Sequence, residues 1–440
     1  MWITALVSWS ACVVLGLAAG APLTGDEAAY ALLARGAGDD WVYRPVGLVL
    51  LGRIGALLGD SDLAVRLPSA LASPLLLVAV AALGRRFGPW TAAGAPALLA
   101  TSHQVVLRAP ELLNDIPSTA CLVGAIVVIV DELPRDGGPR YRLVWAAPLL
   151  AAALYLRYGS APVIAIIGAG AIAVWPGAVR ARPGPVLATA GALAVLLAPF
   201  AAYSIARTGE VAGILAAASE LAPRKYLGDG LWHFVASNPF RKYGVLLPPV
   251  LVLGLASAVR PPAPERRVIR FLALVAVGQI VAIGMVSHAS TRMIFLAMSL
   301  ACVLGVAAIE RATAWPRARC AAAIACVLGC AVMVTTMVPL ERRIARGLAP
   351  LVAAARAIRA DAAGRPCTVI ARATPQLMWY AGCGARKIRT AAEPVELVPG
   401  TVWYAASAPR RPVDGPAIAE ASRATATALP APGAWRLDPR

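Results

Sequence analysis

Charge is scarce in this 440-residue chain: Asp, Glu, Lys and Arg make up 15% of it, against 59% hydrophobic residues, and the mean hydropathy is +0.70. That scarcity excludes an ordinary soluble globular protein, whose interior cannot hide so much apolar surface. Histidine is rarer still. Its three copies, His103, His233 and His288, stand in no Cys- or His-spaced cluster, so no zinc site is indicated, no cofactor is required and a divalent metal has no support. A basic stripe with interleaved aromatics is also missing. The net charge of +18 comes from basic residues scattered singly and in pairs, which argues against nucleic acid as a partner. Finally, no Lys or Arg precedes Arg35. Ala19-Gly20-Ala21 looks like a signal-peptidase site, but without a basic n-region the 2–23 segment reads as a retained first span.

What is present is a series of apolar runs, each near the ~20 residues needed to cross a bilayer. They fall near 3–22, 63–84, 90–107, 116–133, 143–156, 161–176, 185–205, 243–259, 271–287, 293–309 and 319–339. The expectation is an α-helical multi-spanning membrane protein of about eleven spans. Short loops rich in Arg (Arg85 and Arg86; Arg135, Arg140 and Arg142; Arg180 and Arg182; Arg260, Arg266, Arg267 and Arg270; Arg311, Arg317 and Arg319) alternate with poorer ones holding mainly Arg108, Arg157 and Arg292. The positive-inside rule then puts the N-terminus in the cytoplasm. Loops 24–62 and 207–242 and everything after residue 338 fall on the outer face, and loop 24–62 looks partly helical. The domain expectation is a membrane domain over 1–339 and a soluble extracytoplasmic tail over 340–440.

The tail opens with a helical pattern over 341–363 whose Ile344, Leu348, Leu351, Val352 and Ala355 share a face, ended by Gly364. Strand-like runs follow at 367–371 and 401–405. A small α/β domain is expected, fading into a Pro- and Ala-rich end that reads as disordered. Cys121, Cys302, Cys320, Cys326 and Cys330 lie in or beside spans and Cys12 lies in the first run, where a thiol packs as a small apolar group. Cys367 and Cys383 lie in the tail and are a candidate disulfide if the tail meets an oxidising compartment.

Four constellations carry chemistry. Thr24-Gly25-Asp26-Glu27-Ala28-Ala29-Tyr30 sets two carboxylates just beyond the first run. They suit a base at a membrane surface, and Thr24-x-x-Glu27 is equally a capping box. Arg108-Ala-Pro-Glu111-Leu-Leu-Asn114-Asp115-Ile-Pro117 places three more ionisable groups on the same face, where Asp115 also makes a good N-cap. Arg157-Tyr158-Gly159-Ser160-Ala161-Pro162 puts a cation between two short spans; snorkelling to the headgroups explains it as well. Ser287-His288-Ala289-Ser290-Thr291-Arg292 spaces His288 and Arg292 to bind one oxyanion, or simply to end a loop. One topology brings all four to the outer face. Cations bind phosphate and carboxylates activate hydroxyls, so together they suit group transfer from a phosphate-linked lipid.

Asp26-Glu27-Ala-Ala-Tyr30-Ala-Leu-Leu-Ala-Arg35, then Arg66-Leu-Pro68-Ser69-Ala70, Gly84-Arg85-Arg86-Phe87-Gly88, Asn114-Asp115-Ile-Pro117 and the 288–292 loop, resembles the GT-C glycosyltransferases in order and spacing over roughly residues 1–310. The branch it is most similar to holds the bacterial protein O-mannosyltransferases and aminoarabinose transferases. The resemblance implies a GT-C fold in a bacterial cytoplasmic membrane and a sugar donor carried on a polyprenyl phosphate. It implies an acceptor hydroxyl on protein, lipid or glycan and a hexosyl or pentosyl transfer that inverts. It casts Asp26 as the base, Glu27 as its support or an acceptor contact, and Asp115 as a substrate-orienting group. Arg108, Arg157, Arg292 and His288 become candidates for the lipid phosphate, and Tyr30 and Glu111 for substrate contacts. Arg44-Pro45-Val46 and Met293 depart from the family pattern and bear on donor and acceptor identity. Two other readings stay open: a carrier or flippase for lipid-linked sugars, although neither a repeat nor mid-membrane ionisable residues support it, and a non-catalytic assembly factor whose tail binds a partner.

Overall fold

The computed structural model describes residues 1–37, 43–134, 141–220, 226–236, 239–243, 245–262, 265–286, 290–312, 316–390, 393–408 and 412–439. Among the described residues, five helices are long and apolar enough to cross a membrane: Asp62–Gly84, Pro183–Thr208, Arg266–Met285, Thr291–Ala312 and Arg319–Ala362. Shorter apolar helices cover Trp2–Ala18, Val46–Leu58, Tyr141–Leu156, Tyr158–Val174 and Leu247–Ser257. The chain is an integral membrane protein, mostly helical, with a small sheet near its C-terminus.

Some run boundaries differ from the hydropathy reading. The 90–107 run is two helices, Pro89–Leu99 and His103–Arg108, because Ser102 turns to extended backbone between them. Val46–Leu58 forms an apolar helix inside the 24–62 segment, with Leu50, Ile54, Leu57 and Leu58 exposed along it. The last span and the first helix of the tail are one helix, Pro316–Ala362, which runs through Pro339 and Pro350. It stops where Ala363 and Gly364 take positive φ, +47° and +80°, a left-handed exit that glycine adopts without a Cβ penalty.

The chain divides into two compact units. The first comprises Met1–Leu15, Val42–Leu48 and Ser69–Met337. At its centre the Phe295–Ala312 helix is buried on every side from Phe295 to Ala307, packed against the Leu247–Ser257, Pro89–Leu99 and Arg266–Val286 helices. Close approach is possible because glycines meet: a Cβ on Gly254 would lie 2.7 Å from Ala301 O, and one on Gly305 would strike Val250 O.

The second unit comprises Gly16–Trp41, Val49–Pro68 and Val338–Arg440. Its sheet holds β1 (Cys367–Ala371), β2 (Gly384–Lys387), β3 (Val402–Ala406), β4 (Ala424–Ala428) and β5 (Ala434–Pro439) in the order β2-β1-β3-β5-β4. β1 runs parallel to β2 and β3, with Cys367 opposite Val402 and Ile370 opposite Ala405; β5 runs antiparallel to β3 and β4. Alternation sorts the faces. Val369, Ala371, Tyr404 and Ala406 pack with Leu351, Val352, Ala355 and Ile358 of the long helix, while Ile370, Trp403, Ala405 and Leu437 pack with Ile418. Tyr404 donates to Asp361 Oδ2 at 2.7 Å, tying the helix end to the sheet. The Pro- and Ala-rich end, expected to be disordered, is folded: the Gly415–Ala421 helix, β4 and β5 occupy it. β5 pairs with β3, and the small residues of β4 pair in turn with β5.

Candidate active site

The candidate acids and arginines fall in both units: Asp115, Arg157 and Arg292 meet in the first, and Asp26 and Glu27 lie on one helix of the second. In the first unit, helix Asp115–Glu132 begins at Asn114, so Asp115 is its first residue rather than its N-cap. The carboxylate is 1% exposed as a residue and turns to a cation instead. Arg157 Nη1 lies 2.7 Å from Asp115 Oδ1, and Arg292 Nη1 lies 3.9 Å from Oδ2. Oδ2 accepts no hydrogen bond among the described residues. Arg157 Nη1 also donates to Arg292 O at 3.2 Å. Two guanidinium groups thus face one carboxylate, and guanidinium groups are the side chains that also suit phosphate oxygens.

Local sequence explains each placement. Arg157 ends the Ala146–Leu156 helix with extended backbone (φ −154°, ψ 112°), and Pro162 starts the next helix after a short turn at Tyr158–Ser160. Ser118 Oγ, one turn into the Asp115 helix, donates to Ala153 O at 3.1 Å and shares a 2.9 Å hydrogen bond with Ser160. These hydroxyls fix the register between Asp115 and Arg157. Arg292 sits on the Thr291–Ile294 turn, which Gln279 braces by donating to Met293 O at 2.9 Å and accepting from Ala297 N–H at 2.7 Å. Nearby in sequence, Arg108 Nη1 donates to both oxygens of Glu111, at 2.9 and 2.7 Å, so these two expected substrate groups are paired with each other. His288 lies outside the described residues.

In the second unit, helix Gly25–Ala34 carries Asp26, Glu27 and Tyr30. The adjacent acids differ sharply. Glu27 is 0% exposed: Oε2 accepts from Thr24 N–H at 2.9 Å, and both oxygens accept from Arg66, at 2.7 Å from Nε and 2.8 Å from Nη2. Arg66 further donates to Ala21 O at 2.7 Å and Pro22 O at 3.2 Å. Glu27 is thus a buried capping and ion-pairing group that supports the helix start, whereas Asp26 is only partly buried. Tyr30, one turn on, is buried in the core of the unit. Arg66 was not among the sequence candidates for the site; the signal available was its place in the 66–70 motif. Asp62, one turn before it on the Asp62–Ala72 helix, accepts from Trp379 Nε1 at 2.9 Å and Tyr380 Oη at 2.6 Å. Cys367 and Cys383 form a disulfide. Among the described residues no group of three or more His, Cys, Asp or Glu is placed to hold a metal ion.

A mostly helical membrane body with a small C-terminal sheet is the fold of solved GT-C glycosyltransferases. This chain has that fold. Residues 44–203 match the family model described as dolichyl-phosphate-mannose-protein mannosyltransferase. The chain is similar to ArnT from Cupriavidus metallidurans in the apo state, with a TM-score of 0.67 and 15% identity over 88% of this chain and 86% of that one. It is equally similar to ArnT bound to undecaprenyl phosphate, over 88% and 85% of the two chains, again at 15% identity and 0.67. The Archaeoglobus fulgidus oligosaccharyltransferase AglB, in complex with an inhibitory peptide and a dolichol-phosphate, aligns at 0.53 with 12% identity over 87% of this chain and 64% of its own. No curated protein sequence matches the chain.

Proposed function

We propose that the protein transfers a sugar, hexosyl or pentosyl, from a polyprenyl-phosphate donor to an acceptor hydroxyl at the outer face of the bacterial cytoplasmic membrane, with inversion. The observation that carries this reading is the Asp115–Arg157–Arg292 cluster, set in a fold whose relatives are seen with undecaprenyl phosphate and dolichol-phosphate. A phosphate arriving at Arg157 and Arg292 exchanges contacts with Asp115, whose carboxylate keeps both guanidinium groups aimed until then. Arg108 and His288 are further candidates for the same lipid phosphate. Asp26 takes the acceptor proton. The lipid phosphate departs as a stabilised anion, so one base and several cations complete an inverting displacement without the second carboxylate that glycosidases need. The spans number about eleven, and the loop charges put the N-terminus inside and the tail outside.

In a strain lacking the gene, wild-type protein restores the missing surface glycan seen by mass spectrometry and Asp26→Asn does not. Full restoration by Asp26→Asn removes Asp26 from the role of base.

A further inference from the structure

The helix Thr374–Ala381 of the C-terminal domain grips the segment that leads into the Asp26 helix. Tyr380 Oη accepts from Leu23 N–H at 2.7 Å while donating to Asp62, and Gln376 Nε2 donates to Leu23 O at 3.3 Å. Both peptide groups of Leu23 are therefore held by side chains about 350 residues away. Arg66 holds the carbonyls of Ala21 and Pro22, and Glu27 holds Thr24 N–H. Three consecutive residues, 21–23, are each tied by a distant side chain, and Thr24 is tied by Glu27 in the first turn of its own helix. The grip continues along the loop, where the Arg35 guanidinium stacks 4.0 Å from the Trp379 ring and pairs with Asp60 at 2.9 Å.

The gripping helix is itself held rigid. It connects parallel strands β1 and β2, and the Cys367–Cys383 disulfide joins the start of β1 to the residue before β2. Burial, reinforced by the hydrogen bond to Asp62 and its charge, holds the Tyr380 phenol above the usual tyrosine range, so it stays an O–H donor at working pH.

We infer that the C-terminal domain positions the catalytic loop, with Tyr380 and Gln376 as positioning residues that act on Asp26 through the backbone of Leu23. The inference rests on the reading of Asp26 as base. A base must hold its geometry to within about 0.5 Å, and a displacement of about 1 Å costs about 10²-fold in rate.

The test uses the full chain in nanodiscs, with Tyr380→Phe, Gln376→Leu, the double variant, and Tyr404→Phe as control. Tyr404→Phe removes a comparable phenol–carboxylate bond, to Asp361, in the same domain without touching the loop. Amide exchange across residues 23–28 accelerates about tenfold or more in Tyr380→Phe and the double variant and stays at the wild-type rate in the control. With a polyprenyl-phosphate sugar as donor, kcat falls about tenfold in each single variant and about 10²-fold in the double, while the donor KM holds within about twofold. Unchanged exchange overturns the inference whatever the activity. Faster exchange with unchanged kcat also overturns it, leaving a docking contact only. A wild-type protein that transfers no sugar overturns the proposed function instead, and exchange alone then decides whether the grip exists.

Discussion

Replacing Glu27 is predicted to unfold its helix start rather than to remove chemistry. The carboxylate is 0% exposed and the Arg66 side chain 7% exposed. Removing one partner of such a pair strands a buried charge, at a cost of about 3–5 kcal/mol. Glu27→Gln keeps the shape and leaves Arg66 its two backbone carbonyls, so it falls at about 3 kcal/mol. Arg66→Met abandons a fully buried carboxylate and falls near the top of the range. The double variant buries no unpaired charge and costs at least about 2 kcal/mol less than the sum of the singles, the coupling of a contacting pair. Local opening energies come from amide exchange over residues 24–30 in nanodiscs, where about 3–5 kcal/mol reads as a rate increase of about two to three and a half decades. Wild-type exchange in Glu27→Gln, or strict additivity in the double, refutes the assignment of Glu27 to support.

The other predictions concern the cation cluster and the tail. Arg157→Lys loses the planar fork facing Asp115 and raises the donor KM about tenfold with a smaller effect on kcat, read by titrating the polyprenyl-phosphate donor; an unchanged KM removes Arg157 from the phosphate site. Cys367→Ser with Cys383→Ser opens a loop of 16 residues and costs the tail about 3 kcal/mol, measured by limited proteolysis of the folded chain. Equal protease resistance contradicts that value.

Much of the membrane body is legible because bilayer length and apolar composition write it directly into the chain, as at Pro183–Thr208 and Arg266–Met285. Helix interruption at Ser102 is not, since hydropathy averages across a single extended residue. β1 and β3 stand out by their β-branched and aromatic residues, but β4 is Ala-Thr-Ala-Thr-Ala and reads as low complexity until β5 pairs with it. Of the candidate site residues, Asp26, Asp115, Arg157 and Arg292 are visible in the sequence as charges at the ends of apolar runs. Their partners are not. Arg66 meets Glu27 across 39 residues and Tyr380 meets Leu23 across 357, and no local pattern records contacts at that range.

The most direct test is transfer by purified protein in nanodiscs from a polyprenyl-phosphate sugar to acceptor, comparing wild type with Asp26→Asn. The account predicts turnover by wild type, a loss of about 10²–10⁴-fold in Asp26→Asn, and unchanged amide exchange over residues 24–30. Equal turnover by the two proteins, or movement of the lipid-linked sugar between leaflets without any transfer, contradicts it.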